Sequence, residues 1–312
     1  MPSSQSMLTT RAGQFRDLYR ELERYPAAFH STPVIFCEGD SWFATPLAMN
    51  LLDWLVYPTP EDEASGVPLF GAGGLFFRTE QIGDLATHMF IPTHVQNLSG
   101  WYRDFAFDLV LLSAGGNDFV GDFLANLFSG AKQMSVDAAF AQVEASGRYD
   151  EVRAAYQRLI DAFRAIKPHT PILAHSYDYP QRMGERAQLT LGNLGLAALF
   201  VHGVGPWIAP NIAKALPHVE QQKEFAKALV DGFVNKVLVP LRDDPHSGRV
   251  FDFVDLRGTL PDPEYWADEM HPTSVGFAML ARTFRKEMRK KLAVKLQPAP
   301  SYDALQQHLR TR

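Results

Sequence analysis

The chain has 312 residues, a formal net charge of −5, 46% hydrophobic residues and 21% charged residues. These values are typical of a globular protein with a sizeable core, and a mildly acidic chain without a basic block argues against nucleic-acid binding. Cys37 is the only cysteine, which excludes an intrachain disulfide. No apolar run reaches the length of a transmembrane helix, and no signal peptide is visible, so we expect a cytoplasmic protein. A removed signal peptide is the alternative.

Short apolar runs alternate with helix-like segments along the chain. A charged helix is predicted over residues 11–25, followed by a strand over 34–37 and a helix over 48–55. The clearest strand covers residues 108–113, and a long helix is predicted over 149–166. Two more strands and a final helix are predicted over residues 171–175, 250–255 and 273–292. Hydrophobic strands that alternate with helices indicate an α/β fold with a parallel sheet covered on both faces.

Residues 179–218 form an unusually long connection. The connections between elements of an α/β domain usually have about 2–6 residues. Glycines are scattered there among bulky apolar side chains. The segment is either a helical insertion that completes the core or a cap beside an active site. We expect a single domain over residues 1–297 that contains this insertion, and a polar tail over residues 298–312.

A serine follows the first predicted strand, in the sequence Gly39-Asp40-Ser41. Glycine permits a tight turn from strand to helix, and the serine then lies near a helix N-terminus. A serine at this place is also a common helix N-cap without any chemistry. The tripeptide alone therefore does not identify a nucleophile.

Two further polar motifs lie downstream. Gly115, Gly116, Asn117 and Asp118 follow the clearest predicted strand, where an asparagine amide can donate to a developing oxyanion or can simply occupy a turn. Asp268 and His271 lie three residues apart before the last helix, so a carboxylate can orient an imidazole from the same loop. An N-capping aspartate beside a loop histidine is the structural alternative.

Taken together and in this order, the three motifs resemble the SGNH hydrolases, also called the GDSL esterase/lipase family. Trp42 stands where leucine or isoleucine is more usual in the first motif. The resemblance implies a three-layer α/β/α sandwich with a five-stranded parallel sheet of flavodoxin-like order. It also implies ester hydrolysis through an acyl-enzyme, in which Ser41 is the nucleophile, His271 the base and Asp268 its orienting carboxylate.

The family also requires an oxyanion hole. The resemblance assigns its donors to the backbone N–H of Ser41, the side chain of Asn117 and the backbone N–H of a glycine between these motifs. We expect Gly83, because Gly83-Asp84 leads into a helical stretch, and Gly100 is the competing assignment.

The sequence thus predicts a hydrolase of short- to medium-chain carboxylic esters, with a small-molecule ester as its partner and neither cofactor nor metal. A carbohydrate O-acetylesterase and a non-catalytic flavodoxin-like binding protein are the alternatives. The expected substrate-binding residues are apolar and lie in the first motif and in the insertion: Trp42, Leu199, Phe200 and Trp207. The sequence does not predict the physiological ester or the oligomeric state.

Overall fold

The structure, a computed structural model, describes residues 12–44, 49–57, 74–185 and 205–293. Within these ranges five strands form one sheet in the order β2-β1-β3-β4-β5, and every neighbouring pair is parallel. The strands are β1 (Val34–Gly39), β2 (Leu75–Arg78), β3 (Leu109–Ser113), β4 (Ile172–His175) and β5 (Phe251–Val254).

Helices occupy most of the described connections and flank the sheet. Those before β3 are α1 (Ala12–Glu23), α2 (Pro26–Ser31), α3 (Ser41–Ala44), α4 (Leu51–Val56), α5 (Ala86–Met89) and α6 (Pro92–Asp104). Those after it are α7 (Asp122–Leu127), α8 (Val136–Ala145), α9 (Arg148–Ile166), α10 (Ala209–Ile212), α11 (Val219–Phe233), α12 (Val239–Asp243) and α13 (Ser274–Lys291). The predicted α/β class with a five-stranded parallel sheet is confirmed.

The core lies between the sheet and two helical layers. Every residue of β1, β3 and β4 is buried, as expected for central strands of a sheet that is covered on both faces. Long helix α9 packs against α6, and α13 packs against α4. The ring of Phe36 in β1 contacts Tyr102 of α6 and Phe163 of α9, with ring centroids 6.1 and 5.5 Å apart.

The carboxyl ends of the parallel strands meet at one edge of the sheet, where α/β proteins place their sites. β1 leads there into Ser41, β3 into Asn117, and β5 into the loop that carries Asp268 and His271. Thr273 caps α13 after this loop by accepting the N–H of Gly276 over 3.2 Å. The fold therefore brings the three sequence motifs to the same edge.

Candidate active site

Ser41 is the first residue of α3 and follows the sharp turn at the end of β1. At this turn the N–H of Asp40 donates to the carbonyl of Ser113, over 2.7 Å. A Cβ on Gly39 would lie 2.8 Å from the Cβ of Ser113, so the two strands approach this closely only because residue 39 is glycine. The Gly-Asp-Ser sequence thereby places the serine hydroxyl at the edge of the sheet.

The structure brings His271 and Asp268 to this hydroxyl. Nε2 of His271 lies 2.8 Å from Oγ of Ser41, and Nδ1 lies 3.0 Å from each carboxylate oxygen of Asp268. Asp268 is fully buried, and its Oδ1 also accepts the backbone N–H groups of Met270 and His271. With its proton on Nδ1, the imidazole presents Nε2 as an acceptor for the serine proton.

Neighbouring carboxylates change the protonation of His271. Burial lowers the pKa of His271, but Asp268 and, more weakly, Asp40 outweigh burial and hold this pKa above its ordinary value. Burial raises the pKa of Asp268, yet the charge and hydrogen bond of His271 and the two backbone donors outweigh it, so the pKa of Asp268 is lowered. An ionised carboxylate therefore supports an imidazole that accepts a proton readily.

Asn117 is fixed by the loop that precedes α5. Its Nδ2 donates to the carbonyl of Asp84 over 2.9 Å. Asp118 accepts the N–H groups of Ala86 and Thr87, at 2.7 and 3.2 Å, and so holds the first residues of α5, directly after this loop. Because an amide nitrogen carries two hydrogens, the second hydrogen of Asn117 suits it for an oxyanion.

Gly83 directly precedes Asp84 in this loop. It lies in a turn with a φ of +79°, in the left-handed region that glycine adopts at little cost. Gly100 lies inside α6, where backbone amides are engaged in the helical hydrogen bonds. Of the two glycines predicted for the oxyanion hole, Gly83 is thus the one that adjoins Asp84, the partner of Asn117, and its donor role stays a prediction.

Two of the four predicted substrate-binding residues lie among the described residues and near His271. Trp42 is only 2% exposed, and its Nε1 donates to the carbonyl of Met270 over 3.0 Å. The ring of Trp207 meets the ring of His271 nearly perpendicularly, with centroids 5.4 Å apart. Leu199 and Phe200 lie outside the described residues, as do residues 186–204 of the predicted insertion.

An apolar pocket lies beside the site. Its empty volume is about 490 Å³, counting space open to solvent. Helix α11 contributes one wall with Ala226, Leu229, Val230 and Phe233. The remaining lining comes from both sides of the site and from both described ends of the predicted insertion: Trp42, Gly116, Phe119, Val120, Tyr177, Asp178, Pro180, Ile208, Trp266 and Met270. Apolar walls beside a few polar groups are typical of a small-molecule site.

Sequence reasoning missed a buried network around Asp40. Its carboxylate accepts hydrogen bonds from the hydroxyls of Ser113 and Tyr177 and from the N–H of Trp42. Burial raises the pKa of Asp40 to about 6, against the effect of these donors. Tyr177 follows β4 and is separated from Asp40 by more than 130 residues, so no local pattern could have paired them. Its position at a strand end was the available signal.

Among the residues that the structure describes, no cluster of three or more His, Cys, Asp and Glu side chains could hold a metal ion. The same part of the chain contains no helix with the length and apolar character needed to cross a membrane.

No family model matches the chain, and no curated protein sequence matches it significantly. Several solved structures are similar to the chain. The lipase Lip_vut3 from a goat rumen metagenome is 13% identical with a TM-score of 0.49, and the match covers 82% of this chain and 97% of that one. Phospholipase A1 from Streptomyces albidoflavus NA297 is 13% identical with a TM-score of 0.46, covering 83% and 99%.

A carbohydrate esterase family 3 protein from Talaromyces cellulolyticus is also similar. It is 13% identical with a TM-score of 0.44, and the match covers 85% of this chain and 99% of that one. Other similar structures are described as an acetyl esterase and as GDSL-like lipases.

Proposed function

We propose that the protein is a serine hydrolase of carboxylic esters with short- to medium-length acyl chains. One observation carries this proposal: the hydroxyl of Ser41 lies 2.8 Å from Nε2 of His271, whose Nδ1 faces the buried carboxylate of Asp268. A serine hydroxyl is a weak nucleophile at neutral pH and needs such a base and orienter. The motif order of the SGNH hydrolases supports the same assignment.

In the proposed first half-reaction, Oγ of Ser41 attacks the ester carbonyl carbon while His271 takes the hydroxyl proton at Nε2. The tetrahedral oxyanion is held by the N–H groups of Ser41 and Gly83 and by the side chain of Asn117. The C–O bond to the alcohol then breaks, and the alcohol leaves with the proton from His271. Water attacks the acyl-enzyme by the same steps, which releases the acid and restores Ser41.

The pocket lining favours an acyl chain over an acetylated sugar. The walls from α11 are aliphatic or aromatic, whereas a sugar would need several polar partners. A non-catalytic binding protein has no need for an imidazole that is both buried and held between a hydroxyl and a carboxylate. Both alternatives are nevertheless tested by the same experiment.

The experiment is hydrolysis of p-nitrophenyl esters from acetyl to decanoyl, together with acetylated xylose, by the wild type and by Ser41→Ala. We expect maximal kcat/KM at a short or medium chain and loss of at least about 10³-fold in Ser41→Ala. Ser129→Ala, an exposed serine at the end of α7, is the matched control and should keep full activity.

An organophosphate adduct identifies the nucleophile independently. We expect peptide mapping to place the adduct on Ser41. An adduct on another serine would overturn the assignment, activity on acetylated sugar alone would favour the deacetylase, and no hydrolysis of any ester would favour a binding protein.

A further inference from the structure

Glu269 is a buried carboxylate within the catalytic loop that the proposed chemistry does not use. It stands between Asp268 and His271 in the sequence and is 0% exposed. Its oxygens accept three backbone N–H groups. Oε1 accepts those of Gly184 and Ala209, at 2.7 and 2.9 Å, and Oε2 accepts that of Ile208, at 2.7 Å.

These three donors come from two stretches of chain far apart from Glu269 in the sequence. Gly184 lies in the stretch that follows β4, and Ile208 and Ala209 lie at the start of α10. A single carboxylate therefore joins both stretches to the loop that carries the proposed base. Only an acceptor-only group can serve all three donors, because the NH₂ group of a glutamine would face an N–H on one side.

The hydrogen bonds of Glu269 hold the chain segment that carries Trp207 and Ile208, which lies beside His271. Trp207, next to Ile208, meets the ring of His271 with centroids 5.4 Å apart. Its carbonyl is held from the other side by the N–H of Gly121, at 3.0 Å, and by Nδ2 of Asn211, at 2.8 Å. Ile208 itself lines the apolar pocket. Releasing Glu269 would thus free the N–H groups of Ile208 and Ala209, directly after Trp207, while leaving Asp268 and His271 joined.

We propose that Glu269 is a positioning residue that fixes Trp207 and Ile208 beside His271 and thereby sets the acyl-chain preference of the enzyme. The inference rests on the proposed ester hydrolysis and extends it to specificity. A close-fitting wall discriminates among chains by contact, and contact with one methylene is worth about 10–200-fold in kcat/KM.

The test is Glu269→Gln, assayed with acetyl and octanoyl esters. We expect the octanoyl-to-acetyl ratio of kcat/KM to change by about 10-fold, mainly through KM, with kcat for acetyl changed less than about 3-fold. Hydrogen exchange of the amides of Gly184, Ile208 and Ala209 should become faster. Asp108→Asn is the matched control: this carboxylate also accepts a backbone N–H, from Val34, at the opposite end of β1, and its loss should leave the ratio unchanged.

Trp207→Ala is the second variant, because it removes the ring beside His271 but keeps the backbone groups that donate to Glu269. It should change the ratio in the same direction, and the double variant should change it no further than the larger single effect. An unchanged ratio in Trp207→Ala, or faster exchange with an unchanged ratio in active Glu269→Gln, would overturn the proposal. Absence of any Ser41-dependent hydrolysis would instead overturn the proposed function, and the specificity role with it.

Discussion

In the proposed mechanism, the protonation of His271 sets the acid limb of the pH profile. Catalysis needs neutral Nε2, and Asp268 and Asp40 hold the pKa of His271 above its ordinary value of 6.5. We therefore expect kcat/KM to rise with pH through a midpoint above 6.5. Asp40→Asn removes one of the two charges that raise this pKa, so the midpoint should move to lower pH.

The measurement is kcat/KM between pH 5 and 9 at constant ionic strength. Asp268→Asn should lose about 10⁴-fold in kcat, because an amide no longer stabilises the imidazolium or fixes the tautomer. A midpoint that is unchanged in Asp40→Asn would show that Asp40 does not act on the base.

Asn117 is expected to act in the transition state. Asn117→Ala should lower kcat by about 10²–10³-fold with little change in KM, since the oxyanion forms only as the bond breaks. Asn126→Ala, on the exposed face of α7, is the control. An unchanged kcat in Asn117→Ala would show that Asn117 only binds the loop that contains Asp84 and does not act on the oxyanion.

At the residue scale, motif order predicted more than any motif alone. Ser41, Asn117, Asp268 and His271 were predicted from three short patterns, and the structure places them at one edge of the sheet. Glu269 was not predicted, because its partners lie 60 or more positions away and no periodicity marks them. Long-range backbone acceptors of this kind follow from the assembled fold.

Local sequence patterns also predicted some of the strands and missed another. β1, β3, β4 and β5 were predicted, since buried parallel strands are runs of aliphatic and aromatic residues. β2 was missed because the charged Arg78 directly follows its three apolar residues and interrupts the pattern of a buried strand. That arginine is explained by the tertiary structure, where it pairs with Asp53 at 2.8 Å and with Glu80 at 2.6 Å.

Within β1, the buried side chain of Glu38 is the element's most unusual feature. The hydroxyl of Thr79 lies 2.8 Å from the carbonyl of Cys37 and 2.6 Å from Oε2 of Glu38. A hydroxyl has one hydrogen, so Thr79 donates to one of these two oxygens at a time. The N–H of Gly39 donates to the other carboxyl oxygen of Glu38, Oε1, over 3.0 Å. Burial outweighs these hydrogen bonds, which lower the pKa, and raises the pKa of Glu38 to about 8, so the carboxyl stays protonated at neutral pH.

This protonated carboxyl predicts a stability that falls with pH. The folded pKa is raised above the ordinary 4.5, so the stabilisation is complete below pH 4.5 and is lost as pH rises through about 8. Glu38→Gln imitates the protonated form without titrating. The free energy of unfolding of Glu38→Gln relative to that of the wild type should therefore increase by up to about 1.4 kcal/mol for each pH unit across this range.

Urea unfolding at pH 5, 6.5 and 8.5 measures the difference. Glu23→Gln, on the exposed face of α1, controls for the change of side chain. A constant difference between Glu38→Gln and the wild type would show that Glu38 does not titrate between the folded and unfolded states.

At the scale of the whole molecule, the apolar pocket combines segments from most of the chain. The sequence assigned acyl binding to residues 179–218, but one wall of the pocket belongs to α11, which starts at Val219. The pattern of α11 is amphipathic, and nothing in it distinguishes a pocket wall from ordinary core. The role of residues 179–218 as a cap stays a prediction, supported at its described ends by Pro180 and Ile208.

Filling this pocket should shorten the preferred chain. Ala226→Leu adds a branched side chain to the wall and should lower kcat/KM for octanoyl esters by about 10–200-fold, with a smaller effect on acetyl esters. Ala155→Leu in α9 is also buried but does not line the pocket, so it controls for the cost of overpacking, about 1–3 kcal/mol. Equal losses on all chain lengths in Ala226→Leu would place the acyl site elsewhere.

The short loop that joins Asp268 to His271 has an evolutionary consequence. The two side chains are fixed to each other by bonds within the loop, so a single insertion or deletion there separates both from Ser41 at once. Ser41, by contrast, changes by an ordinary point mutation without disturbing the other two. If the proposed catalysis holds, relatives that do not hydrolyse esters should fall into two groups in a sequence alignment: some retain an intact Asp-x-x-His pair without a serine, and others retain the serine beside a remodelled loop.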